Sequence, residues 1–243
     1  MSGGVSHMQR YLFDLTGYLH LKGAVSGADL ERAQAAAERC IMAGASGEGR
    51  PEGFVTKPAD MAPREYGRRS AGYQHGFAFD RALDAVTMHH AIWPLVKEFT
   101  ANQPRLVSGT LSFQVHDPNR RAPPGKNLNP AALHCAREGR AWGTRYAVGT
   151  DQQGEGKIFC SPLVVFFYLS DVEPGDGGLI VLPGSHKAAF SRPEGLLAAG
   201  ADNIDPEPSP LYTNLTPRAG DFLFCSENLT QCSLSLSLSV CLS

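Results

Sequence analysis

His186 closes the run Pro183-Gly184-Ser185-His186, behind two short apolar stretches and two turns. Strand, turn, strand, turn and then an imidazole brings a neutral His to a barrel mouth, where it can ligate a metal or hold a substrate carboxylate. His89 and His90 are adjacent, and neighbouring residues on a helix point about 100° apart, so that pair does not face one metal. Gln114 alternates with Leu111, Phe113 and Val115, which puts its amide on the polar face of a strand. That face either lines a pocket, where Gln114 meets a bound carboxylate, or faces solvent. The six cysteines, at 40, 135, 160, 225, 232 and 241, form no CxxC pair and no regular spacing, which argues against a zinc ribbon or a disulfide framework and for reduced thiols. The sequence also carries no HExxH helix of the kind a zinc hydrolase uses.

Several elements are required to position these groups. Leu163 to Ser170 is short, apolar and rich in aromatic and β-branched residues, which predicts a strand buried on both faces. Glu173-Pro174-Gly175-Asp176-Gly177-Gly178 predicts a turn, after which Leu179 to Leu182 resumes as a strand. Tyr18 to Lys22 alternates as a half-buried strand ending at Gly23. Ser26 with Asp29 then opens a helix whose apolar residues Leu30, Ala33, Ala37 and Ile41 run to Gly44. Gly44 to Tyr73 has no sustained period and reads as a long loop, either a lid over the substrate or a disordered insertion. Ile92, Leu95, Val96 and Phe99 mark a second helix between His89 and Ala101, with Pro94 in its opening turn. Leu106 to Val115 and Asp221 to Ser226 are further strands, and His116 to Pro130 is a connection rich in Pro, Asn and Arg.

Composition bounds the function. A chain of 243 residues with 42% hydrophobic content suits one domain, 1–243. Lys plus Arg 22 against Asp plus Glu 24 gives a net charge of −2, without a basic block that would suggest nucleic acid or a membrane surface, so a small-molecule substrate is expected. The N-terminus MSGGVSHMQR lacks the apolar stretch of a signal peptide, no run approaches the ~20 residues of a membrane span, and the last residues are not a peroxisomal tripeptide. A soluble cytoplasmic protein is expected, in which the sequons at Asn214 and Asn228 carry no glycan.

The run Gly175-Asp176-Gly177-Gly178 followed by Pro183-Gly184-Ser185-His186-Lys187, together with Phe13 to Tyr18, Leu133-His134 and Pro217 to Asp221, resembles the phytanoyl-CoA dioxygenase family over nearly the whole chain up to about Thr230. The resemblance implies a mainly β fold with flanking helices, a double-stranded β-helix (jelly-roll, cupin-like) barrel. It also implies Fe(II), 2-oxoglutarate as co-substrate, and hydroxylation of an aliphatic small molecule. His134 matches the family's first metal ligand. Ala136 stands where His-x-Asp places a carboxylate, a position at which related iron halogenases carry Ala or Gly; Glu138 supplies an oxygen only if the strand has ended by then. Gln231 falls near the distal ligand, a neutral oxygen donor poorly matched to Fe(II). His186 precedes that strand, so its catalytic place is at the pocket rim, hydrogen-bonding and fixing the turn rather than touching the metal, and in such a barrel the polar strand face offers Gln114 to the co-substrate. No Arg or Lys follows Gln231. Residues 232–243 are an atypical low-complexity tail of alternating Ser and Leu that reads as an end unrelated to the rest, although its period suits a strand that completes the sheet. Two functions are therefore expected: a non-haem Fe(II)/2-oxoglutarate-dependent dioxygenase, or a catalytically inactive relative that keeps the barrel for binding or structure without a complete iron triad.

Overall fold

Ser6 opens helix α1 (His7–Thr16) through a reciprocal capping box with Gln9, and Gly17 closes it in the left-handed region at φ 82°. In the computed structural model, residues 4–46, 69–115, 133–136, 145–173, 178–190, 211–233 and 237–242 are described, with 44–46, 69–72, 74, 113–115, 232–233 and 237–242 described by backbone alone. Strand β1 (Tyr18–Leu21) follows, and then helix α2 (Gly27–Ser46). The small residues Ala33, Ala36, Ala37 and Cys40 are all buried along one side of α2, allowing it to lie close to its neighbours. Beyond it come strand β2 (Arg69–Gln74), a 3-10 turn (Gly76–Phe79), helix α3 (Arg81–Thr87) and helix α4 (Trp93–Phe99). Asp80 caps α3 by accepting the Ala82 N–H at 2.8 Å. The rest is β: β3 (Leu106–Val115), β4 (Arg145–Thr150), β5 (Gly156–Ser161), β6 (Leu163–Tyr168), β7 (Leu179–Val181), β8 (Thr213–Leu215), β9 (Phe222–Ser226), β10 (Gln231–Ser233) and β11 (Ser237–Leu242).

Among the described residues all strand pairings are antiparallel. One sheet runs β1-β9-β6-β11-β3-β2, a second β10-β7-β8, and β4 pairs with β5 in a hairpin. The fold is thus mixed helix and antiparallel sheet rather than mainly β, because α1 to α4 cover a face that the sheet alone would leave wet.

Strand β6 explains the layering. Its side chains alternate between two cores, as the period of two demands. Leu163, Val165 and Phe167 join Phe13, Ala33, Val96 and Phe99 of the helices. Val164, Phe166 and Tyr168 join Leu179 and Val181 of β7 and Leu215 of β8. Strand β9 divides the same way, Phe222 and Phe224 toward the helices, Leu223 and Cys225 toward the second sheet. Each large side chain so buried contributes roughly 2–3 kcal/mol of transfer free energy. The small sheet therefore packs on the face of the large one away from the helices.

Several expectations are refined. The helix expected from His89 starts at Trp93, because His89 to Ile92 close a turn in which the Ile92 and Trp93 N–H groups both donate to the His89 carbonyl. The stretch read as a loop from Gly44 to Tyr73 contains the end of α2 and most of β2; its middle, 47–68, lies outside the described residues, as does 116–130. The serine-leucine tail supplies β11, inserted between β3 and β6 with Val240 opposite Gly109 on one side and Val165 on the other. Cys40, Cys135, Cys160 and Cys225 are buried free thiols, and burial pushes the Cys40 thiol up to about 11. Among the described residues, no helix is long and apolar enough to cross a membrane.

Candidate functional site

Leu133-His134-Cys135 runs along the free edge of β10. Leu133 and Cys135 are buried and His134 is exposed, the alternation of an extended segment. The His134 N–H donates to the Gln231 carbonyl at 3.0 Å and the Gln231 N–H to the His134 carbonyl at 2.9 Å. Residues that exchange both bonds lie directly opposite, with side chains on the same face. Two residues far apart in sequence are thereby brought side by side.

Gln231 is 2% exposed. Its Nε2 donates to Glu227 Oε1 at 3.4 Å, and its Oε1 is buried without a partner. Asn228 Oδ1, in the turn between β9 and β10, is likewise buried and unpartnered. Buried acceptors are nearly always satisfied in folded proteins, so two orphans three residues apart mark a place poised for something else. Ala136, in the turn that follows, has no side-chain group to bind a metal, and its N–H donates to the Glu227 carbonyl at 2.6 Å.

The Pro183-Gly184-Ser185-His186-Lys187 motif sets this geometry from behind. Ser185 Oγ accepts the Thr230 N–H at 2.8 Å, and the Leu182 N–H donates to the Thr230 carbonyl at 2.9 Å. The turn therefore fixes the residue next to Gln231. His186 itself is 1% exposed and faces away from that pair: its Nε2 lies 3.1 Å from the Asp14 carbonyl, and the Tyr146 ring meets it edge-on at 4.5 Å. Gly17 is required there, since a Cβ at φ 82° would run into His186 Nδ1. Asp14 also accepts from Tyr146 Oη at 2.7 Å and pairs with Lys187 at 2.8 Å. Burial alone would raise the Asp14 carboxyl, yet these two partners hold it below the usual carboxylate range. The described contacts of His186 thus join α1, β4 and the turn, and His186 does not touch His134 or Gln231 among them.

Gln114 lies in β3 opposite Ser70, and its side chain falls outside the described residues, as does Glu138. The His89 and His90 rings lie 4.2 Å apart, tilted by 41° to one another, just before α4 on the helical side of the large sheet. Among the described residues, no group of three or more His, Cys, Asp or Glu is arranged to hold a metal. Glu227 went unrecognised in the sequence because its place beside Gln231 depends on the turn after β9. The nearest sequence clue was its spacing four residues before Gln231.

A second polar cluster sits at the opposite end of β9. Asp221, 3% exposed, accepts from His20 Nε2 at 2.7 Å, the Gly23 N–H at 2.7 Å and the Arg218 N–H at 2.9 Å. Burial disfavours the charge, but those hydrogen bonds outweigh it and hold the carboxyl below its ordinary value. This is the Pro217-Arg218-Ala219-Gly220-Asp221 stretch, and its role is to tie β1, the Gly23 turn and β9 together.

No protein-family model and no curated protein matches the chain. Solved structures do. HygX from Streptomyces hygroscopicus, crystallised with nickel, 2-oxoglutarate and hygromycin B, matches at TM-score 0.65 and 20% identity over 98% of this chain and 86% of that one. SnoK, a non-haem α-ketoglutarate-dependent carbocyclase from nogalamycin biosynthesis, matches at TM-score 0.62 and 18% identity over 99% of this chain and 85% of that one. AviO1 from Streptomyces viridochromogenes Tue57 matches at TM-score 0.60 and 15% identity over 97% of this chain and 92% of that one. At these identities the likeness is one of fold.

Proposed function

We propose that this chain is a non-haem Fe(II)/2-oxoglutarate-dependent oxidoreductase on a double-stranded β-helix, hydroxylating an aliphatic position of a small organic molecule. The observation that carries the reading is the His134–Gln231 pair: an imidazole and a buried, unpartnered amide oxygen side by side on the small sheet. Likeness of fold to HygX, crystallised with 2-oxoglutarate, and to SnoK, an α-ketoglutarate-dependent carbocyclase, supports it, as does the packing of the small sheet on the face of the large one away from the helices.

The donor types fit a divalent ion. His134 offers a nitrogen suited to iron and Gln231 Oε1 a neutral oxygen, so a single imidazole implies a loosely held metal. When bound, the metal and 2-oxoglutarate supply the oxidising chemistry. The protein's part is to hold His134 and Gln231 in register through their paired backbones and to fix Thr230 through Ser185. Gln114, on β3, is assigned to the co-substrate carboxylate, and His186 keeps the Ser185 turn in place from beneath.

The test follows succinate release from 2-oxoglutarate under air with Fe(II) and ascorbate, alongside Mn(II) affinity. Metal-dependent succinate formation is expected from the wild type and not from His134→Ala. His186→Gln should slow turnover while leaving Mn(II) affinity within about threefold, because it acts through the turn. A wild type that binds no metal and releases no succinate overturns the reading in favour of a non-catalytic relative.

A further inference from the structure

We infer that Glu227 supplies the carboxylate missing at Ala136, so that His134, Glu227 and Gln231 together form one divalent-cation site. The inference rests on the metal-dependent reading above and assigns a residue that neither the motif nor the likeness of fold points to. Ala136 follows His134 by two residues, where the resemblance places a carboxylate, and a methyl group leaves that place without a metal-binding atom. The turn after β9 brings the Glu227 backbone against Ala136. Its carbonyl takes the Ala136 N–H at 2.6 Å, its own N–H donates to the Pro162 carbonyl at 3.2 Å, and the Leu229 N–H closes the turn on Ser226 at 2.9 Å. The Glu227 backbone is thus tied on both sides, and the side chain reaches Gln231, whose Nε2 donates to Oε1 at 3.4 Å.

Three observations converge. Gln231 Oε1 is unpartnered in a residue only 2% exposed. His134 lies directly opposite on the same face. Glu227 is half-buried and its carboxylate lies beside the Gln231 amide. A carboxylate accepts on both oxygens, so the bond from Gln231 Nε2 and a bound cation are compatible. One imidazole, one carboxylate and one amide oxygen make a mixed N/O set suited to Fe(II), Mn(II) or Co(II) and too hard for a thiophilic ion. A carboxylate also provides the negative charge that the His134–Gln231 pair lacks.

Mn(II) is the probe, with free ion followed by electron paramagnetic resonance in titrations of the wild type, Glu227→Gln, His134→Ala, Ala136→Asp and the double variant Ala136→Asp/Glu227→Gln, each checked by thermal melting. Glu227→Gln should weaken Mn(II) binding by about tenfold or more without changing the melt, and the double variant should recover most of that loss. Ala136→Asp alone should change affinity by less than about threefold, because the carboxylate place is already served. This arm does not depend on Glu227→Gln folding. If Glu227→Gln binds as the wild type does while His134→Ala fails, or if Ala136→Asp gains about tenfold or more, Glu227 is not a ligand and the metal-dependent reading stands without it. Absence of Mn(II) binding in the wild type removes both.

Discussion

Two polar corners flank strand β9, and they are built on opposite principles. At its start, Asp221 buries a carboxylate and satisfies it with His20, Gly23 and Arg218. Past its end, Gln231 buries an amide and leaves Oε1 without a partner, three residues after the equally orphaned Asn228 Oδ1. A saturated buried network stabilises and specifies a fold, whereas an unsatisfied buried acceptor costs about 1–3 kcal/mol for as long as nothing fills it. The Asp221 corner is therefore read as structural and the Gln231 corner as a binding place. Both are equally hidden from solvent, so burial alone does not tell them apart. The inventory of partners does.

The largest expected effect falls on the satisfied corner. Asp221→Ala strands three donors at once and should lower unfolding free energy by about 3 kcal/mol or more, measured by urea denaturation. A loss below about 1 kcal/mol would mean that the network contributes little and that the contrast fails.

Acid provides an intermediate test. The Asp221 carboxyl sits below its ordinary value in the folded chain, and so does that of Asp14. A depressed folded pKa contributes stability that is fully present above the unfolded value of about 3.9, and that stability is lost as pH falls through the folded value. Denaturation midpoints measured from pH 6 downward should therefore fall on the acid side of about pH 4, and Asp221→Ala should flatten that limb. An equally steep limb in the variant would move the origin of the acid sensitivity elsewhere.

The smallest effect on stability, and the sharpest contrast, belongs to Gln231→Leu. Removing a buried acceptor that has no partner, with little change in volume, should leave stability within about 1 kcal/mol of the wild type, or raise it, while Mn(II) affinity falls. Destabilisation as large as that of Asp221→Ala would show that Gln231 is a framework residue after all.

Much of this architecture is legible in the chain itself. The apolar run from Leu163, the strand resuming at Leu179, the alternating Leu106 to Val115 strand and the Ala-lined helix α2 all come from local period and turn chemistry, and they fall where those rules place them. Helix α1 was just as readable through Ser6 and Gln9 but is short and largely exposed, which weakens its apolar stripe. The β4–β5 hairpin is exposed along most of β4 and turns on Asp151, whose side chain accepts the Gln153 and Glu155 N–H groups, so neither a clean alternation nor a two-residue Asn-Gly turn announces it.

Local sequence thus decided which segments are strands and which face of each is apolar, and the resemblance singled out His134 and Gln231 as candidates. The pairing of His134 with Gln231, the arrival of Glu227 beside Gln231, the insertion of the serine-leucine tail as β11 between β3 and β6, and the turning of His186 toward Asp14 were decided only in three dimensions. The physical reason is that a period of two or 3.6 is written in neighbouring residues. Register between distant strands, by contrast, is selected by the packing of whole sheets, in which a slip of one residue would turn every side chain to the wrong face.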